Sequence, residues 1–365
     1  MAVAAISGTA FSQTTVDLGV IGRLDANPYF YFDGTRPDYT SGNSVLYTDL
    51  ECSFGDNVAL TFIGHWLNTD ADKIPFKDTP NLYRNTFYSV NNWVDFCYFD
   101  FYAGNWTFRL GKDVMAVGGF EYDPYDWECT YDMTSLLWQN LSCYQWGGSV
   151  TYTTPSEKSN FMFQALSATN FNDFDVEGNI CRWRPWQNGF GTYILNYRGE
   201  YGPVETSNSY GWMQTCGGKG NAVSGMEMLT LGARVACTES FKIGLEWQNR
   251  RDTAVKLNSF KDFFSQSTRA ILTMQYVPSD KFELNLRGGY EYIGMGLEQD
   301  LWLDVETSPK CWSGGASFYY FPLKDSHDLR LEATVAGSSL LYTSYTKGIT
   351  ATIGILYNHT FHIVK

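Results

Sequence analysis

Hydrophobic and polar residues alternate one for one along most of this chain. In Phe241–Gln248 (FKIGLEWQ), Phe241, Ile243, Leu245 and Trp247 share one face, while Lys242, Glu246 and Gln248 share the other. Phe282–Arg287 and Leu329–Val335 repeat the pattern, and Val58–Trp66 sets Val58, Leu60, Phe62 and Trp66 against Thr61 and His65. A period of two is that of a β-strand, whose side chains point alternately to opposite faces. Such segments number sixteen, at about 16–31, 44–53, 57–67, 91–102, 105–112, 141–153, 159–168, 188–200, 204–212, 227–238, 241–250, 267–277, 281–292, 311–321, 326–336 and 348–363.

The connections carry as much information as the strands. Short ones, such as Phe54-Gly55-Asp56, Ala103-Gly104, Gly202-Pro203 and Pro278-Ser279-Asp280, alternate strictly with long ones. The long ones fall at about 32–43, 68–90, 113–140, 169–187, 213–226, 251–266, 293–310 and 337–347. A soluble sandwich has no reason to segregate loop lengths in this way. A barrel crossing an outer membrane does, with short periplasmic turns and long outside loops. In the last segment Ile349, Ala351, Ile353, Ile355, Tyr357, Phe361 and Ile363 lie on one face, as a closing strand in lipid requires. The expected fold is all-β: a transmembrane antiparallel β-barrel of about sixteen strands.

Composition fits that expectation. Aromatic residues make up 17% of the chain and charged residues only 18%, and no stretch of eighteen apolar residues supplies a helical span. The formal net charge of −13 argues against a nucleic-acid partner, since no basic stripe is available for phosphates. Residues 1–12, mostly small and apolar with Ala10-Phe11-Ser12 before Gln13, read as the remnant of an export signal. That leaves 13–365 as one barrel domain. Eight cysteines without a CxxC pair speak against a zinc or thioredoxin-type site, and only Cys181 and Cys216, both in long connections, suggest a disulfide.

Asn105–Lys112 (NWTFRLGK), followed by Gly118–Asp123 (GGFEYD), resembles the passage from strand to third loop in porins of the Bacteroidota, distant relatives of the phosphate-selective porins. Tyr144–Gly148, Gln164 and Asp25–Tyr29 support the same likeness. The resemblance implies a Gram-negative outer-membrane location, contact with the lipid bilayer and lipopolysaccharide, frequent trimers, and passive diffusion of small hydrophilic solutes and ions. It departs from the phosphate-selective pattern in one respect: the third-loop candidate is rich in carboxylates, so phosphate selectivity does not carry over.

Parity places Arg109, Arg198, Arg234, Lys242, Glu246, Arg250, Arg269, Glu283, Arg287, Glu291, Arg330 and Glu332 on the inner face. Each is either a permeation residue or a side chain solvated or paired across strands; together they predict a water-filled interior. The connection after the fifth strand is expected to fold inward and narrow the channel. Its candidates are Lys112, Asp113, Glu121, Asp123, Asp126, Glu128 and Asp132. Carboxylates at such a waist favour cations. The same carboxylates also suggest a Ca²⁺ site, although Asp123-x-x-Asp126-x-Glu128 lacks the EF-hand spacing. No metal or cofactor is otherwise called for. No catalytic group is expected: of four histidines only His65 lies near an outer loop, as a wall residue. The alternative to a porin is a structural or accessory barrel in a larger outer-membrane assembly, with exposed loops such as Trp183–Trp186 for docking.

Overall fold

The computed structural model describes residues 14–31, 38–40, 44–68, 94–123, 144–167, 173–174, 180–181, 191–216, 224–257, 260–297, 310–324, 326–338 and 348–364. The wall begins with Thr14–Tyr31 (β1), Val45–Phe54 (β2), Val58–Asn68 (β3), Val94–Ala103 (β4), Trp106–Val114 (β5), Tyr144–Thr153 (β6), Ser159–Leu166 (β7) and Thr192–Tyr201 (β8). It continues through Val204–Cys216 (β9), Ser224–Thr238 (β10), Phe241–Leu257 (β11) and Phe260–Ser279 (β12). Phe282–Leu297 (β13), Lys310–Tyr320 (β14), Leu329–Ser338 (β15) and Gly348–Val364 (β16) complete it.

Each strand pairs antiparallel with the next, and β16 pairs with β1 from Val16↔Val364 to Tyr31↔Gly348, so the ring is closed. Closure is a physical necessity. Hydrocarbon offers no water to an unpaired N–H or C=O, and each unsatisfied group costs several kcal/mol. A short piece, Asp38–Thr40, adds to β1 opposite Asn27–Tyr29. Asp173–Phe174 pairs with Ile180–Cys181 between β7 and β8. Three of the short turns hold a glycine in the left-handed region, Gly55 at φ +63°, Gly104 at φ +60° and Gly202 at φ +64°, as tight hairpin connections favour.

Neighbouring residues on one strand live in different media. Leu24, Leu245 and Ile353 are 68%, 61% and 71% exposed, whereas Arg23, Glu246 and Thr352 beside them are almost wholly buried. Hence the outside is the apolar face and the inside the polar one. Aromatic pairs band the outer face near both ends, Trp106 with Tyr152 and Phe282 with Tyr320 by the short turns, Tyr193 with Trp212 toward the long loops. At the seam beside the short turns, His362 Nδ1 meets Asp17 Oδ1 at 2.6 Å.

One expectation changes. The long connection predicted at 251–266 is largely strand: β11 and β12 pair as far as Leu257↔Phe260, and β12 pairs with β13 as far as Phe263↔Leu297. The apolar alternation fades at Arg250-Arg251-Asp252 because an outer face beyond the lipid need not be apolar, while the backbone goes on pairing. Residues 1–12, read as an export signal, and the Trp183–Trp186 loop lie outside the described residues.

An arginine placed on the outer face should cost stability according to depth. Ile353→Arg, well inside β16, is expected to destabilise the barrel by about 2–4 kcal/mol, and Ile363→Arg, near its end, by about 0–1 kcal/mol. Reversible denaturant unfolding in lipid checks this, and equal costs at the two positions would refute the assigned outer face.

Candidate functional site: a loop bound to the inner wall

Beyond Val114 the chain leaves the wall and runs inside the barrel. The Ala116 N–H donates to Gln164 Oε1 at 2.9 Å, and Gln164 Nε2 donates to the Val114 carbonyl at 2.8 Å. Asn196 Nδ2 donates to the Ala116 carbonyl at 2.9 Å, and the Gly118 N–H to Ser209 Oγ at 2.7 Å. A 3₁₀ turn, Phe120–Tyr122, then brings the Glu121 N–H to Glu246 Oε2 at 3.0 Å. Gln248 Nε2 donates to the carboxylates of both Glu121 and Glu246, and Arg287 donates to Glu121. Every one of these partners is on the inner face, for Phe163, Leu195, Tyr210, Leu245 and Leu286, at the alternate positions, are exposed outside.

An apolar contact holds the root of this loop. Met115 and Val117 pack on Leu166, Ile194, Met213, Met226 and Met228, all of them buried. Burying a Val or Met side chain contributes about 1.5–3 kcal/mol, so the two loop residues anchor it more firmly than an exposed ion pair does. These wall residues were missed in the sequence, although the signal was there: they are large apolar side chains at inner-face positions of four successive strands, β7 to β10. Glycines allow the close approach. A Cβ on Gly118 would stand 2.3 Å from Asn196 Nδ2, and one on Gly119 would stand 2.0 Å from Glu246 Oε1.

The charged wall is mostly paired. Glu121, buried, is held by Arg287. Asp123 lies 2.6 Å from Arg198 and 4.0 Å from Arg234. Arg234 also meets Glu205 at 2.6 Å and lies over the Phe120 ring at 4.4 Å, and Lys242 meets Glu205 at 3.7 Å. Elsewhere Arg269 pairs with Glu291 at 3.2 Å, and Arg23 bridges Asp25 at 2.7 Å and Glu332 at 2.6 Å. Arg330 meets Glu332 at 2.9 Å, and Arg109 meets Asp100 at 2.8 Å and Asp113 at 3.2 Å. Glu283 accepts from Gln275 at 2.9 Å and Asn285 at 2.7 Å. Arg250 is half-buried in β11, opposite Ser267 and Met228.

Three expectations need correction or restriction. Lys112 and Asp113 belong to β5, not to the loop: Asp113 faces inward to Arg109, while Lys112 stands opposite Cys97 and Trp146 and bonds the Val94 carbonyl. Asp126, Glu128 and Asp132 lie outside the described residues, as do the side chains of Cys181 and Cys216. Of the two alternatives for each inner-face charge, pairing holds for Arg23, Asp25, Arg269, Glu291 and Glu332, which are buried in mutual ion pairs, so the water-filled interior expected from these charges does not extend to them. Water reaches Arg198, Lys242, Glu205, Arg234 and Arg109, all within five residues of a short turn. His65 bonds Asp95 at 2.9 Å beside Tyr47, inside an apolar wall cluster with Ile63 and Phe96.

The closed barrel has counterparts among solved structures. DcaP, an outer-membrane channel of Acinetobacter baumannii, superposes with a TM-score of 0.67 at 12% identity, over 95% of this chain and 98% of that one. The trimer form of OmpT, an outer-membrane protein of Vibrio cholerae, gives 0.61 at 15% identity over 95% and 100%. Salmonella typhi OmpF gives 0.52 at 12% identity over 96% and 98%. The fold is that of an outer-membrane barrel. No family model and no curated protein sequence matches the chain.

Loosening the loop should be visible by amide exchange. Gly119→Val and Arg287→Gln are each expected to speed exchange across 115–123 while strands β7–β13 stay protected. The arginine change leaves a buried carboxylate uncompensated, which typically costs about 3–5 kcal/mol. Unaltered protection of 115–123 in both variants would refute the anchoring described here.

Proposed function

We propose that this barrel is an outer-membrane porin that lets small hydrophilic solutes and ions diffuse across. The observation that carries the reading is the inner-wall loop beside a row of half-exposed charges near the short turns. A loop in that place narrows a passage, and charged side chains there keep the passage wet. Contact with lipid and lipopolysaccharide, and self-association as a trimer, belong to the same reading. The residues that carry the resemblance to Bacteroidota porins, Gln164 and Gly118–Asp123, lie at the root and tip of the loop contacts, as a constriction loop requires.

A cation preference is also part of the proposal, but its support moves from the loop to the wall. Glu121 and Asp123 are matched by arginines. Near the short turns the register sets Asp17, Glu51, Glu200, Glu205 and Glu283, none of them buried, on the inner face, against Arg109, Arg198, Arg234 and Lys242. Acids therefore outnumber bases where the wall meets water, and fixed negative charge attracts cations. The accessory-barrel alternative finds one observation in its favour, the continuation of β11–β13 as paired strands past their neighbours.

Purified protein in planar bilayers should give stepwise ohmic currents in KCl, and a KCl gradient should give a reversal potential of cation sign. Absence of steps would defeat the channel reading, and an anion sign would defeat the wall-charge argument.

A further inference from the structure

The loop has two carboxylate anchors of opposite character. Glu121 is buried, accepts from Gln248 and Arg287, and is fixed through its own N–H to Glu246. Asp123 is more open, its side chain 26% exposed, and each of its oxygens faces a different arginine, Oδ1 toward Arg198 at 2.6 Å and Oδ2 toward Arg234 at 4.0 Å. The Arg198 side chain is 44% exposed and that of Arg234 30%. An ion pair so open to water contributes little and exchanges readily. Arg198 pairs directly with one oxygen, and Arg234, whose own hydrogen bonds go to Glu205, adds its charge 4.0 Å from the other. Two guanidinium groups converging on one carboxylate form a positive pocket that suits another carboxylate.

A second observation lies beside it. Glu200 and Glu205 stand directly opposite each other on β8 and β9, and the exposed Glu200 is two residues from Arg198 on the same face. Like charges directly opposite are unfavourable unless a cation lies near. Arg234 and Lys242 serve Glu205, which leaves the Glu200 side of the pair as a place for a further positive group. Two residues along a strand are about 7 Å, so anionic and cationic groups a few bonds apart match the pair of subsites.

We propose that Arg198 and Arg234 form a carboxylate subsite, that Asp123 is its resident occupant, and that the solute displacing it is an amino acid. The carboxylate of the solute replaces Asp123 on the two arginines, and its ammonium group sits against Glu200 and Glu205. A simple anion is disfavoured by the same glutamates, and a simple cation gains nothing from the arginines. The assignment rests on the channel reading, since it describes a stop along that passage.

Saturation-transfer NMR on the purified barrel in detergent, with L-alanine, acetate and methylammonium as probes, tests it without requiring conduction. L-Alanine is expected to bind better than either single-charge probe. Asp123→Asn is expected to tighten L-alanine binding roughly two- to fivefold by removing the competitor, a gain that misfolding does not produce. Arg198→Gln is expected to abolish the signal and Arg198→Lys to restore part of it. L-Alanine binding unchanged or weakened in Asp123→Asn, or acetate binding as tightly as L-alanine, would overturn the proposal. KCl conductance of the wild-type protein is read separately: binding without conductance counts against the channel, and conductance without competition by Asp123 counts against the subsite.

Discussion

No backbone amide or carbonyl facing hydrocarbon tolerates being left without a partner, and the architecture follows from that constraint. It demands strands that pair on both sides, so the sixteenth must return to the first, and β16 lies against β1 along nearly its whole length. Closure in turn decides that apolar side chains go outward and that the protein's packed interior consists of inward-facing groups. Leu245 is therefore exposed and Glu246 buried, the reverse of the usual arrangement in water.

The interior divides into two kinds of surface. One is apolar, where Leu166, Ile194 and three methionines of β9 and β10 receive Met115 and Val117. The other is ionic, with buried pairs such as Arg269–Glu291 and half-exposed ones such as Arg234–Glu205. The loop uses both. Its apolar root gives adhesion, and Glu121 gives register, because a buried carboxylate is tolerated only where Arg287 and Gln248 meet it.

Most of the wall was legible in the sequence because each strand carries its own period. Segments read at 204–212 and 348–363 are strands Val204–Cys216 and Gly348–Val364, and the twelve charges assigned by parity lie at inner register positions. What stayed hidden depends on contacts far apart in the chain. Glu121 and Arg287 are 166 residues apart, and nothing local in either sequence announces their pairing. Of the loop carboxylates read as a fixed negative filter, Glu121 and Asp123 are matched by arginines of the wall, and Asp126, Glu128 and Asp132 lie outside the described residues. Asp113 read as loop because β5 runs past the end of its alternation at 112, through Asp113 and Val114. The extension of β11–β13 was missed because pairing outlasted the apolar pattern that lipid imposes.

The position of the loop also makes it depend on strands far from it in the chain. Its attachment points are spread over β7, β8, β9, β11 and β13, all of which follow it in the chain. The segment after β5 therefore has no complete binding surface until those later strands are in place. Glu121 can meet its arginine only in a wall built through β13. A change in β13 thus reaches a loop rooted in β5 without touching the strands between them.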